Sequence, residues 1–131
     1  MRLVSTLWIA FGGALGSVAR AWVALAVARL TGPQFPWGTI LINVAGSFII
    51  GFTAVATANY LRSPALVEVR AFVMVGLCGG FTTFSAFSLQ TLELARAGRM
   101  GQAAANVVLS VALCLAAVIA GYYVANVMQQ E

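Results

Sequence analysis

The residue types in this chain that can do chemistry are concentrated in one stretch, Gly79–Gly80–Phe81–Thr82–Thr83–Phe84–Ser85–Ala86–Phe87–Ser88. Hydroxyls from Thr82, Thr83, Ser85 and Ser88 alternate with phenylalanines inside an otherwise apolar run. The glycine pair weakens helix, because each glycine costs about 1 kcal/mol against alanine in a helix interior. Irregular backbone at membrane depth is tolerated only where protein or a water-filled cavity satisfies it. The stretch is therefore either a notch for helix packing or a binding site for something small and polar. An aromatic ring is negative on its face and positive on its edge. Ring edges, hydroxyl donors and an amide NH₂ can thus host a small anion without a fixed positive charge. A cation would prefer the ring faces or the carbonyls of a broken helix. A phenylalanine repeat taken alone is also what ordinary packing produces.

The elements that must position this stretch follow from composition. Of 131 residues, 62% are hydrophobic and 8% charged, against about 25% charged in a soluble domain. The chain reads as an all-α integral membrane protein. At about 20 apolar residues per crossing, four spans with short connections use its whole length as a single four-span domain, 1–131. The spans are expected at about 3–30, 37–60, 69–94 and 102–127, with the third broken at 79–83. Each half of the third is too short to cross alone, and a discontinuous helix of this kind points to an ion or substrate site. The loop at 31–36 carries Pro33, Pro36 and Gly32 as breakers, and residues 61–70 and 95–101 read as the other connections.

Three further sets of residues recur at helical spacing. Gly12, Gly16 and Arg20 share one face of the first span, and Gly12-x-x-x-Gly16 is a pattern that lets helices approach closely. Arg20 lies at depth, where it either snorkels to the interface or holds a neighbouring backbone or attracts anions. Thr39, Asn43, Ser47 and Gly51 make a polar and small stripe down the second span. An asparagine there needs a partner, since an unmatched amide in hydrocarbon costs several kcal/mol; an interhelical hydrogen bond is the plain reading. Asn106, Ser110 and Cys114 form a second stripe on the fourth span, placed to face the first.

Several function classes are excluded. The net charge of +4 comes from scattered arginines, not from the basic patch that nucleic acid requires. No histidine is present, and Cys78 and Cys114 form no C-x-x-C pair, so zinc and disulfide readings are poor and buried thiols are expected. No nucleophile–base pair or carboxylate pair suggests an enzyme. All three glutamates lie at span edges or in the tail, whereas proton-coupled transport usually uses an ionisable group within the membrane. That counts against a small multidrug-type proton-coupled antiporter, the alternative of similar length and span number. A non-transporting helical scaffold is the third reading.

Arginine bias in the loops sets orientation. Here Arg2, Arg62 and Arg70 fall on one side and Arg29, Arg96 and Arg99 on the other. Such a balance gives little instruction, and a chain that inserts both ways can pair as an antiparallel homodimer.

With these residues in view, the sequence resembles the Fluc (CrcB) family of fluoride-specific ion channels. The likeness runs from Gly12–Gly13 with Gly16 and Arg20, through Trp37–Gly38–Thr39 and Asn43, to the Gly79–Ser88 string and Ser110. It implies a dual-topology, antiparallel homodimer in the bacterial inner membrane, multi-pass, with two antiparallel pores that passively export fluoride. By resemblance, Phe84 and Phe87 turn ring edges to the ion, while Asn43, Thr83 and Ser110 line the path. A structural Na⁺ on the dimer axis is implied at the carbonyls of Gly79 and Thr82, and Arg20 and Thr39 are candidates for an anion vestibule or a structural role. Two positions depart from the family pattern: Cys114 stands where serine is common, and Gln90 where several members carry glutamate.

Overall fold

A computed structural model describes residues 2–58 and 63–130. Every element in it is helical: α1 (Leu3–Thr31), α2 (Trp37–Ala56), α3 (Pro64–Arg70), a π-helical segment π1 (Ala71–Leu77), α4 (Cys78–Phe81), α5 (Phe84–Arg96) and α6 (Met100–Met128). The segments from Pro64 to Arg96 run on as one apolar stretch, giving four helices long and apolar enough to cross a membrane. The chain is a multi-pass membrane protein. The expected end of the second span at Tyr60, and Arg62, lie outside the described residues.

The start of the third span departs from expectation. Residues 64–70 are helical and not a connection, with Pro64 in the first turn, where its missing N–H costs nothing. The chain then widens into π geometry, seen in the Cys78 N–H reaching back five residues to the Val73 carbonyl. Such segments are rare and recur at functional sites.

Glycines explain how this stretch is held. A Cβ on Gly12 would sit 2.5 Å from the Phe72 carbonyl oxygen, and one on Gly76 would sit 2.8 Å from that of Ile9. The backbones of α1 and π1 therefore touch, as the small-residue pattern in α1 predicts. Trp8 and Phe11 flank this contact, both against the ring of Phe72. On the other side of the molecule α2 packs on α6, where Gly51 lies under the Val118 carbonyl and Gly121 under that of Phe48.

Hydrogen bonds fix which ends lie together. Arg99 Nη1 donates to the Gln34 carbonyl at 2.9 Å, so the 32–36 and 97–99 connections share one end. At the other end Gln129 Nε2 donates to the Val55 carbonyl at 3.0 Å, and Ser5 Oγ donates to Glu68 Oε1 at 3.0 Å. Arg70 Nη1 closes the end of α2, donating to the Ala54 carbonyl and to Thr57 Oγ1. The four spans therefore alternate up and down. Among the described residues, Arg2 and Arg70 stand at one end and Arg29, Arg96 and Arg99 at the other.

Candidate functional site

The third span leaves helix inside the stretch 79–83 where a break was expected, at its C-terminal end and not at the glycine pair. Gly79 and Gly80 are helical, within α4, and the chain leaves helix at Thr82 and Thr83. Thr82 has φ −78° and ψ 158°, and Thr83 has φ −153° and ψ 112°; both are extended. Gly80 serves packing: a Cβ there would collide with the Gly13 carbonyl. Close approach to α1 outweighs the low helix propensity of the pair.

Two side chains hold the extended residues. Asn43 Oδ1 accepts the Thr83 N–H at 2.8 Å, and Asn43 Nδ2 donates to the Thr83 carbonyl at 3.1 Å. The amide thus pairs with one residue's backbone as a neighbouring strand would, satisfying groups that could not be left bare in hydrocarbon. Thr83 Oγ1 then accepts the Ala86 N–H at 3.1 Å, capping α5. Gly46, one turn after Asn43, leaves room for the Thr82 methyl; a Cβ on Gly46 would overlap it.

This bonding takes the helical donors from the carbonyls of Gly79 and Thr82, two of the four at 79–82 that the break leaves without one. In an unbroken helix the Thr83 N–H would bond Gly79 and the Ala86 N–H would bond Thr82. Both donors are spent elsewhere. Gly79 is exposed, and a Cβ on it would meet nothing within 4 Å. Two freed carbonyls at an open helix break are hard oxygen ligands of the kind a small hard cation takes, so the residues present fit a Na⁺.

A cavity of about 410 Å³ lies beside the break. Asn43, Thr83, Phe84, Phe87 and Ser110 all line it, and so do Gly79 and Thr82. Seven of the nine positions singled out from sequence are therefore gathered at one place. The rings of Phe84 and Phe87 have centroids 5.3 Å apart and planes inclined at 47°. Phe84 is 79% exposed, Phe87 half-buried. Phe81 is not among the cavity-lining residues; its ring lies behind the wall, beside Gly46.

Thr39 and Arg20 stand outside the cavity. Thr39 is buried, one turn before Asn43. Arg20 is half-buried on α1 and has no hydrogen-bond or ion-pair partner among the described residues.

One part of the site was not expected as such. Asn106 is fully buried and donates through Nδ2 to Thr91 Oγ1 at 2.8 Å, while Thr91 Oγ1 donates to the Phe87 carbonyl at 2.7 Å. Ser110 Oγ donates to Asn106 Oδ1 at 3.4 Å. A polar chain thus ties α6 to the backbone of Phe87. The recurrence of Asn106 and Ser110 marked the α6 side in the sequence, but Thr91 gave no signal. The 3.4 Å bond is long, so turning the Ser110 hydroxyl into the cavity loses little. Asn43 keeps its second Nδ2 hydrogen after pairing with Thr83. The cavity can therefore present an amide N–H, a hydroxyl and aromatic edges, and among the described residues no carboxylate or amine lines it.

The fold and site define a four-span membrane protein with a largely apolar cavity, carrying a few uncharged polar groups, at an interrupted helix. Comparison with known proteins gives the family. Residues 7–122 match the model of the family described as CrcB-like protein, Camphor Resistance (CrcB), and the chain belongs to that family. It is 56% identical over 124 residues to a protein of Methylocella silvestris named Fluoride-specific ion channel FluC, covering 95% of each chain. It is also 56% identical over 119 residues to the Opitutus terrae protein of the same name, covering 91% of this chain and 90% of that one. A Methylobacterium radiotolerans relative, again of that name, is 50% identical over 125 residues, covering 95% and 87%.

Proposed function

We propose that the chain is a fluoride-selective ion channel, and not an enzyme, that lowers cytoplasmic fluoride by passive export. The observation that carries this reading is the cavity at the Thr82–Thr83 break, where Asn43, Ser110 and the Phe84–Phe87 pair converge on one volume. It is supported by the relatives named above, all of them named as fluoride-specific channels.

In this reading fluoride gives up water for a set of weak, fixed donors. The second N–H of Asn43, the Ser110 hydroxyl and the positive ring edges of Phe84 and Phe87 each stabilise negative charge. None carries a full charge, so the ion is held loosely enough to leave, as conduction requires. Thr83 contributes by position: its backbone locks the Asn43 amide and its hydroxyl starts α5 in the right direction.

The working unit is an antiparallel homodimer with a pore on each side of its axis. Phe84 and Gly79 are exposed beside freed carbonyls, and lipid cannot satisfy such groups; a second copy can cover them. At the dimer axis Na⁺ would bind the Gly79 and Thr82 carbonyls and act structurally, tying two broken helices together. The interruption then lies mid-membrane, and Arg20, without a partner among the described residues, would attract anions to a vestibule or brace the second copy. Thr39, already buried, would be structural.

Proteoliposomes loaded with fluoride test the mechanism. Release should follow a K⁺ diffusion potential with no pH gradient imposed and no response to a sodium gradient. Release only under an imposed pH gradient would favour the antiporter. Reversal by a sodium gradient at fixed fluoride and voltage would make Na⁺ a coupling ion, contrary to its structural role here.

A further inference from the structure

Hydroxyls in these helices share one habit. Ser47, Thr57, Thr82, Ser88 and Thr91 each donate to the backbone carbonyl four residues back, at 2.6–2.9 Å, the local bond open to any serine or threonine in a helix. Ser110 departs from it. Its hydroxyl donates to the side chain of the residue four back, Asn106 Oδ1, and only at 3.4 Å. Ser110 lines the cavity, whereas Asn106 stands behind it, fully buried. Thr91 fixes which way the Asn106 amide points. Its hydroxyl has one proton, spent on the Phe87 carbonyl at 2.7 Å, so its oxygen can only accept. The amide must turn Nδ2 to Thr91, at 2.8 Å, which leaves Oδ1 for Ser110. Flipped, it would set oxygen against oxygen at Thr91 with no proton between them.

We propose that Asn106 is a positioning residue for the anion: oriented by Thr91, it draws the Ser110 hydroxyl off the backbone and holds it by a bond weak enough for an ion to replace. The inference rests on the fluoride-channel reading and adds how its serine donor is kept available. With Asn106 in place, the Ser110 proton sits in a long bond that a strong acceptor displaces at little loss. Without it, the hydroxyl falls back on the carbonyl of residue 106 and turns lone pairs, not a proton, to the cavity. Fluoride is the strongest acceptor among the halide ions and gains most from that proton. Chloride gains less against the same competitor. Asn106 thereby favours fluoride without touching it.

Fluoride release from proteoliposomes, normalised to folded protein, tests the relay. Asn106→Leu and Ser110→Ala should each slow release at least about tenfold, the worth of one hydrogen bond to an ion, and the double variant should be no slower than either alone. Thr91→Val should also slow release, and Thr91→Ser should recover most of it. Normal release from Asn106→Leu, or losses that multiply in the double variant, would overturn the relay. Absence of release from the native protein would instead overturn the channel reading. A second measurement needs no change to the buried amide. In isotope-labelled native protein, the side-chain amide resonance of Asn106 should move on addition of NaF and stay in place with NaCl. An amide that ignores fluoride, or answers both salts alike, would overturn the relay even if Asn106→Leu failed to fold.

Discussion

At the residue scale, Asn43 shows how a side chain can serve structure and ion together. Its carbonyl and one N–H are committed to Thr83, and only the remaining N–H is left for another partner, the ion in the proposed reading. Asn43→Leu should therefore destabilise the fold as well as lower flux. It strands the Thr83 N–H and carbonyl, at about 1–3 kcal/mol each, and thermal unfolding in detergent would show the loss. The phenylalanines separate the two contributions. Isoleucine keeps much of the apolar volume, so packing losses should stay under about 1.5 kcal/mol, but it has no ring edge. Phe84→Ile and Phe87→Ile should each reduce fluoride flux per folded protein at least tenfold, while Phe81→Ile, not among the cavity-lining residues, leaves it near normal. Reduced protein yield with normal flux per folded protein would mean the rings only pack. Asn43 was legible in the sequence because a lone amide among apolar residues must have a partner. Thr91 was not, because a hydroxyl four residues after Phe87 reads as bonding its own helix, which it does while also serving Asn106.

At the element scale, the third span was legible as discontinuous, but its local geometry was not. Glycine pairs signal weak helix, yet here Gly80 is helical because α1 presents Gly13 against it. The break falls instead where Asn43 supplies alternative partners for Thr83, a long-range contact that no local propensity encodes. The π geometry of Ala71–Leu77 was equally hidden; it falls where Gly12 and Gly76 meet across two helices, a contact between residues far apart in sequence. The two adjacent glycines should consequently differ. Gly80→Ala drives a methyl into the Gly13 carbonyl and should cost about 1–3 kcal/mol, the range for overpacked cores. Gly79→Ala meets open space within the chain and should leave its thermal stability unchanged or raise it by up to about 1 kcal/mol. Equal destabilisation by both would mean that the pair, and not the packing around it, shapes this segment.

At the scale of the whole molecule, span number and alternation followed directly from hydropathy, because lipid leaves a chain of this composition few options. Which chain ends lie together is now fixed by Arg99–Gln34 and Gln129–Val55. Neither end holds a large excess of arginine among the described residues, so both orientations are expected in the native membrane. In a background without Cys78 and Cys114, a cysteine placed at Gly98 should be labelled by an impermeant reagent from both sides. Labelling from one side only would remove the antiparallel dimer. The central claim concerns the ion itself. It is tested most directly by fluoride and chloride electrodes reading one suspension of proteoliposomes loaded with both ions. Once a K⁺ ionophore shunts the charge, fluoride should leave within seconds to minutes while chloride stays inside. Retention of both ions, or their release at similar rates, would contradict the account.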